Sequence, residues 1–347
     1  MFTTKILLPA ELLRQNKFIV GLSCFPLYNA TLFLYNIGMR KKVAIIGAGH
    51  VGASTAQLLA YEAMADVVLY DVVEGMPQGK ALDLSEACPL YRSCVSITGT
   101  NDMADIKGSD IVVITAGIAR KPGMSRDDLL TTNANILRGI STEVAGYCPN
   151  SIVIVVTNPM DVMAQLTWQT SAMSRERVMG MGAILDSVRF RTFVAWQLRV
   201  SPEAVEALTL GGHGDQMVPM PRFTTVRGVS ITHLLSEQVI KELVERTRNG
   251  GAEVVSLLKS GSAYYAPAAS TVQMIRAILF DEKQVLPVAC LLSGQYGVDG
   301  VFAGVPAVLG KGGVERIIEL DLNQQEKADF QRSVDAVRGL LQKLGLK

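Results

Sequence analysis

From Lys42 to Asp71 the chain sets short apolar runs between polar breaks. Val43 to Ile46 is an uninterrupted apolar run, the pattern of a strand buried on both faces. Ala53 to Met64 is made of good helix formers, and Val67 to Tyr70 is a second apolar run that stops at Asp71. The alternation then repeats. Pro77 to Cys88 reads as a helix, and Ser96–Thr98 and Ile111–Thr115 read as strands. Ser125, with Asp128 three residues on, looks like the capping box of a helix that runs to Tyr147 and is stopped by Pro149. Ile152–Val156 is a strand, a further helix follows Thr157-Asn158-Pro159, and a short strand lies around Arg177–Met179. Strands that alternate with helices in this way predict a parallel, doubly wound sheet.

After about Gly182 the pattern changes. Asp186–Leu198 is helical, with Asp186 near its start. Ala204–Thr209 reads as a strand running into Gly211-Gly212-His213-Gly214-Asp215, and Phe223–Val226 and Val229–Thr232 as further strands. Ser236–Asn249 and Tyr264–Phe280 are helical. Val285–Leu292, Gly300–Phe302 and Val305–Leu309 look like antiparallel strands around glycine-rich turns. Asn323 with Glu326 opens a last amphipathic helix that carries Phe330, Val334, Val337 and Leu341 on one face.

The break between the first run and the first helix holds Gly47, Gly49 and Gly52 at GxGxxG spacing. The first glycine permits a sharp turn, the second lets a pyrophosphate approach the backbone, and the third lets helix and strand meet closely. Asp71 stands 19 residues after Gly52, at the end of the second strand. A carboxylate there takes both hydroxyls of an adenosine ribose and repels a 2′-phosphate, so the expected cofactor is NAD rather than NADP. The fold class expected is α/β, a Rossmann-type doubly wound parallel sheet followed by a mixed α+β substrate domain. The boundaries are an extension outside the fold at 1–38, an NAD-binding domain at 39–182 and a substrate-binding, catalytic domain at 183–347.

Composition narrows the class further. At 347 residues the chain is long enough for two domains, and its net charge of +1 points to no nucleic-acid partner. The five cysteines (Cys24, Cys88, Cys94, Cys148, Cys290) are scattered, with no CxxC and no disulfide framework, which favours a reducing compartment. With three histidines in all, a metal site is not expected. Cys88, Cys94 and Cys148 are expected to be buried. No apolar run of 18 residues is present, so no membrane-spanning helix is predicted. Residues 1–38 stand apart from the pattern: they read either as a targeting segment or as residues ahead of a translation start at Met39, the preferred reading.

Polar residues cluster where a doubly wound sheet binds ligands: Arg120 and Arg126, Asn158, Asp186 with Arg189, and His213. His213 lies among glycines after an apolar run, and its ordinary pKa of ~6.5 suits reversible proton transfer. Asp186 and Arg189 are three apart on a helix and share a face. Taken singly, each has a plainer reading: a loop histidine, a helix cap, solvated charges.

Together they form a pattern. VAIIGAGHVG, VVLYD, TAGIARKPGMSRDDLL, TNPMD, LDSVRFR and GGHGDQMVP, in that order, resemble the lactate/malate dehydrogenase family, and most closely its lactate-dehydrogenase-like malate dehydrogenases, from about Met39 to the C-terminus. The resemblance implies reversible oxidation of (S)-malate to oxaloacetate by hydride transfer to NAD. It implies that His213 is the acid/base and that Asp186 orients and stabilises its protonated ring. Arg189 would grip the carboxylate beside the reacting carbon, and Arg126, on a closing loop, would polarise the carbonyl. Asn158 would touch substrate and cofactor, with Gly117 and Asn133 also on the cofactor side. Family members are usually homodimers or homotetramers, and the resemblance suggests a cytoplasmic enzyme of the tricarboxylic acid cycle.

Arg120 bears on the substrate. The resembling lactate dehydrogenases carry glutamine at the matching position. A guanidinium pairs with the second carboxylate that oxaloacetate has and pyruvate lacks. Closing a loop over an unpaired buried charge costs ~3–5 kcal/mol, which outweighs ~1 kcal/mol of methyl packing. Ala263, where the lactate-specific relatives carry threonine, leaves room for the longer dicarboxylate. Pro267 reads either as a surface for the nicotinamide ring or as a helix-start proline. The alternatives to a malate enzyme are a dehydrogenase of lactate or another 2-hydroxy acid, and a non-catalytic NAD sensor.

Overall fold

β1 (Lys42–Ile46) shows how this fold is built: Val43, Ala44, Ile45 and Ile46 are all fully buried, as a strand covered on both faces must be. Each Val or Ile buried this way contributes ~1.5–3 kcal/mol. The computed structural model describes residues 40–118 and 126–346, without the side chain of Arg126. The expectations on residues 1–38, on the Ser125 cap and on Arg120 lie outside the described residues. From Lys41 onward the chain packs as one unit.

The order of elements after β1 is α1 (His50–Tyr61), β2 (Asp66–Tyr70), α2 (Met76–Tyr91), β3 (Ile97–Thr100), β4 (Ile111–Ile114), α3 (Arg126–Tyr147), β5 (Ile152–Val155), α4 (Met160–Ser171), β6 (Val178–Gly180) and α5 (Gly182–Leu198). Five short strands follow: β7 (Val205–Glu206), β8 (Thr209–Leu210), β9 (Val218–Pro219), β10 (Thr225–Val226) and β11 (Val229–Ser230). Then come α6 (Glu237–Leu258), α7 (Tyr265–Leu279), β12 (Gln284–Ser293), β13 (Asp299–Gly310), β14 (Gly313–Ile317) and α8 (Gln324–Lys343).

The main sheet runs β14-β13-β12-β6-β5-β4-β1-β2-β3. The six strands from β3 to β6 are parallel. β12 joins β6 antiparallel at Ala289 and Gly180, and β13 and β14 continue antiparallel. The chain leaves β1 in one direction to β2 and returns on its other side at β4. A crevice therefore opens at the carboxyl ends of β1 and β4, the place where such sheets receive ligands.

Several expected elements differ in detail. α1 begins at His50, three residues early, so Gly52 lies in its first turn. The strand read over Ala204–Thr209 is two pieces: β7 pairs with β10, and β8 pairs with β9. Gly300–Phe302 and Val305–Leu309 belong to one strand, β13, which pairs with β12 through Ala289 and Gly304; Gly211 joins it at Gly304, Gly211 N to Gly304 O at 2.9 Å and the reverse at 2.8 Å. α6 does not stop at Asn249; it runs through Gly250 and Gly251 to Leu258. Cys88 and Cys148 are buried, but Cys94 is exposed. It sits between Ser93 and Val95, which both point inward, so an extended backbone turns it out. The capping box on α8 is formed as read, with Glu326 N donating to Asn323 Oδ1 and Asn323 N to Glu326 Oε2, both at 2.9 Å. Phe330, Val334, Val337 and Leu341 are buried on its inner face. Among the described residues no helix is long and apolar enough to cross a membrane.

Candidate active site

The turn after β1 gives its three glycines different tasks. Gly47 has φ +109°, and a Cβ there would lie 2.7 Å from Ala116 N, so only glycine fits between β1 and the end of β4. A Cβ on Gly52 would lie 1.9 Å from Gly47 O, so this glycine lets α1 meet the turn. Gly49 is different: a Cβ there would meet nothing within 4 Å. The space in front of it is open, as a cradle for a pyrophosphate must be. α1 has no side-chain cap and no acidic residue in its first turn, which leaves its N-terminal N–H groups and positive dipole end facing that space. These residues fit a dinucleotide.

Asp71, at the end of β2, accepts from Ala48 N at 2.7 Å and from Val73 N at 3.0 Å, and so pins the turn. Lys80 from α2 donates to Ala48 O at 2.5 Å. The opposite wall is Ala116-Gly117 after β4. Thr157, after β5, donates to Ala116 O at 2.6 Å. Asn133, from α3, is 1% exposed; it accepts from Ile118 N at 2.9 Å and donates to Asn158 O at 2.8 Å. Its amide therefore ties the Gly117–Ile118 turn to the Asn158 turn.

The acid–base group forms where the second half of the chain returns to the sheet. α5 starts at Gly182, so Asp186 lies one turn inside the helix rather than at its cap, and it is 1% exposed. One of its oxygens takes His213 Nδ1 at 2.8 Å and the other takes Arg189 Nη1 at 3.2 Å. Read with Nδ1–H donating to the carboxylate, the ring leaves Nε2 as the nitrogen that Asp186 does not engage. Burial opposes charge on the ring, but Asp186, by its charge and its hydrogen bond, and Asp161, by its charge, outweigh it and hold the His213 pKa above its ordinary 6.5.

The loop bearing His213 is held from three sides. Ser333 on α8 accepts from Gly212 N at 2.8 Å, Gly211 pairs with Gly304 of β13, and Asp161 of α4 accepts from His213 N at 2.6 Å. Gly182 admits the ring, since a Cβ there would lie 2.5 Å from His213 Cβ. Asp161 was not singled out from the sequence. It is 3% exposed, its Oδ1 has no hydrogen-bond partner among the described residues, and burial pushes its pKa up to about 6. The signal that marks it is an acid in the first turn of a helix whose neighbours Val162, Met163, Ala164 and Leu166 are all buried.

Arg120 lies outside the described residues, and Arg126 opens α3 without a described side chain. Tyr264, just before α7, stacks on His50 of the glycine turn with ring centroids 4.9 Å apart. That contact brings the Gly261–Pro267 segment to the crevice; Pro267 is buried in the first turn of α7. The described arrangement thus holds a dinucleotide cradle, a proton donor–acceptor with a buried anion behind it, and a guanidinium within the same hydrogen-bonded group.

Comparison with known proteins agrees with this layout. The family model for the NAD-binding domain of lactate/malate dehydrogenases matches residues 41–180, and that for their α/β C-terminal domain matches 183–344. A malate dehydrogenase from Desulforudis audaxviator is 54% identical over 307 residues, covering 88% of this chain and 99% of that protein. One from Roseiflexus sp. is 52% identical over 299 residues, covering 86% and 97%. Among solved structures, malate dehydrogenase from Cryptosporidium parvum aligns with a TM-score of 0.86 at 44% identity, covering 88% of this chain and 99% of that one. Lactate dehydrogenase from the same organism, complexed with lactic acid and nicotinamide adenine dinucleotide, aligns with a TM-score of 0.86 at 43% identity, covering 88% and 98%. With both domain models matched in order over nearly all of the chain beyond residue 40, the chain belongs to the lactate/malate dehydrogenase family.

Proposed function

We propose that the chain is an NAD-dependent malate dehydrogenase, interconverting (S)-malate and oxaloacetate, with its NAD-binding half at 39–182 and its substrate half at 183–347. The observation that carries the reading is the Asp186 carboxylate, buried and shared between His213 Nδ1 and Arg189 Nη1. This shared carboxylate supports reading His213 as the proton donor–acceptor and Arg189 as the carboxylate-binding cation of one site.

NAD, when bound, supplies the hydride acceptor. Gly47, Gly49, Gly52 and Asp71 hold it, with Gly117, Asn133 and Asn158 on the opposite wall. His213 takes the hydroxyl proton of malate at Nε2, and Asp186 stabilises the imidazolium that forms. In the reverse direction the same nitrogen returns the proton. Arg189 grips the carboxylate beside the reacting carbon through its forked N–H groups. Arg126 stabilises the negative charge that builds on the carbonyl oxygen, and closure of its loop excludes water. Arg120 pairs with the second carboxylate, which makes the substrate a dicarboxylate rather than lactate. The names of the relatives at 50–54% identity support that choice.

The reading extends to a cytoplasmic homodimer or homotetramer acting in the tricarboxylic acid cycle: the scattered cysteines support a reducing compartment, the 49% apolar content supports buried subunit contacts, and the net charge of +1 gives no reason to expect a nucleic-acid partner. The test is paired: NADH binding and oxaloacetate-dependent NADH oxidation, for the natural protein and for His213→Asn. The expected result is turnover by the natural protein, and NADH binding without turnover by the variant. NADH binding by the natural protein with no turnover of any 2-keto acid would overturn the enzyme reading in favour of a sensor.

A further inference from the structure

The pair Gly250-Gly251 reads as a helix stop, yet α6 runs through it for two more turns. The buried positions of α6 are Leu243, Thr247 and Gly250, a stripe that faces α5. Leu243 meets Phe190, Phe193 and Val194 of α5 in a common apolar cluster. At the third position of the stripe no side chain is present, and the stem of Arg189 occupies the space. A Cβ on Gly250 would lie 2.2 Å from Arg189 Cδ, 2.7 Å from Nε and 3.3 Å from Cγ. Real Cβ contacts do not come below 3.0 Å, so a methyl group there would make the Arg189 side chain shift. One residue on, a Cβ at Gly251 would stand 4.0 Å from Arg189 Nη2, an ordinary contact.

We infer that Gly250 is a positioning residue for substrate binding: its missing side chain forms the notch that seats Arg189 and sets how far the guanidinium reaches into the site. The inference rests on the reading of Arg189 as the carboxylate grip. Asp186 fixes one end of the guanidinium from α5 itself, at 3.2 Å. α6 fixes the stem from the opposite side. A long side chain held at only one point would swing, and misplacement by ~1 Å is enough to cost ~100-fold in reactions that depend on a fixed geometry. A helix interior otherwise disfavours glycine, and replacement by alanine favours the helix. The glycine therefore stands against local preference where α6 meets Arg189, the kind of conflict expected at a functional contact.

The experiment measures KM for oxaloacetate, the Kd for NADH and the melting temperature for Gly250→Ala, Gly251→Ala, Arg189→Ala and the double variant Gly250→Ala/Arg189→Ala. The expected result for Gly250→Ala is a KM raised ~10–100-fold, an NADH Kd within about twofold of the natural protein and no loss of melting temperature. Gly251→Ala leaves KM within about twofold, although it makes the same chemical change in the same helix. In the Arg189→Ala background, adding Gly250→Ala changes KM no further, because the notch then has nothing to seat. A KM unchanged in Gly250→Ala while Arg189→Ala raises it would overturn the inference and leave the Arg189 reading standing. An unchanged KM in Arg189→Ala would overturn the Arg189 reading itself. If Gly250→Ala costs as much in the double variant as alone, or does not fold while Gly251→Ala does, Gly250 serves the helix packing and the inference fails.

Discussion

Asp186→Asn is the perturbation whose consequences the structure states most fully. The side chain is 1% exposed and its two oxygens serve different partners, His213 at 2.8 Å and Arg189 at 3.2 Å. Asparagine keeps the volume and removes the charge. Hydrogen bonds to a charged group are worth ~1.5–3 kcal/mol and neutral ones about 1 kcal/mol, so the two losses sum to ~1–4 kcal/mol. Expressed in the transition state, that is a fall of roughly 5- to 1000-fold in kcat/KM. An NH2 group turned toward Nδ1 would also select the wrong imidazole tautomer, which pushes the loss to the upper end. The pH dependence gives an independent readout. With His213 as the proposed proton donor, oxaloacetate reduction needs the protonated ring, so its rate falls as pH rises through the His213 pKa. In the natural protein that pKa is held up against burial by Asp186 first and Asp161 after it. Without the Asp186 charge, burial and Arg189 act against Asp161 alone. The alkaline limb of reduction then moves to lower pH, and the acid limb of malate oxidation moves with it. The assay is steady-state NADH oxidation with oxaloacetate across pH. A fall in kcat/KM with the limb unmoved would refute the reasoning, since it would leave Asp186 a structural role with no hold on the ring's charge.

Three further outcomes follow from single contacts. Asp161 has its pKa pushed up to about 6 by burial, so below about pH 4 it is protonated in both folded and unfolded chains and costs nothing. As pH rises to about 6 and beyond, ionising it disfavours the folded state by roughly 3 kcal/mol. Asp161→Asn should therefore gain stability relative to the natural protein over that window, read by denaturant unfolding at several pH values; parallel curves would contradict the assignment. Gly52→Ala drives a Cβ to 1.9 Å from Gly47 O and should cost ~1–3 kcal/mol or more together with NADH binding, measured by melting and by titration. Gly49→Ala, with nothing within 4 Å, should leave the melting temperature of the cofactor-free protein unchanged while weakening NADH at least ~10-fold; equal effects in both variants would remove the distinction between packing glycine and cradle glycine.

The first βαβ unit is legible from residues alone because every signal in it is local: an apolar strand, glycines at fixed spacing and an acid at the end of the next strand. The same holds for α8, whose cap and apolar stripe lie within one helix. What sequence reading misses is made by distant chain segments. Asp161 looks like an ordinary helix-start acid until the His213 loop folds onto it, 52 residues on. Gly304 reads as a break between strands; pairing with β12 carries the strand through it, and the glycine is needed because Gly211 and Ala183 come too close for a side chain. Gly250-Gly251 reads as a stop because the stop rule contains no Arg189. The grouping of His213, Asp186 and Arg189 came from resemblance, since the spacing of two residues on a helix says nothing of a histidine 27 residues away.

In the proposed function a dicarboxylate is the substrate and Arg120 selects it. The deciding experiment compares kcat/KM for oxaloacetate and for pyruvate in the natural protein and in Arg120→Gln. The expected result is a strong preference for oxaloacetate that falls by roughly 100-fold or more in the variant, the size expected when a buried charge pair loses one partner. A natural protein that prefers pyruvate, or a preference for oxaloacetate that survives in Arg120→Gln, would contradict it.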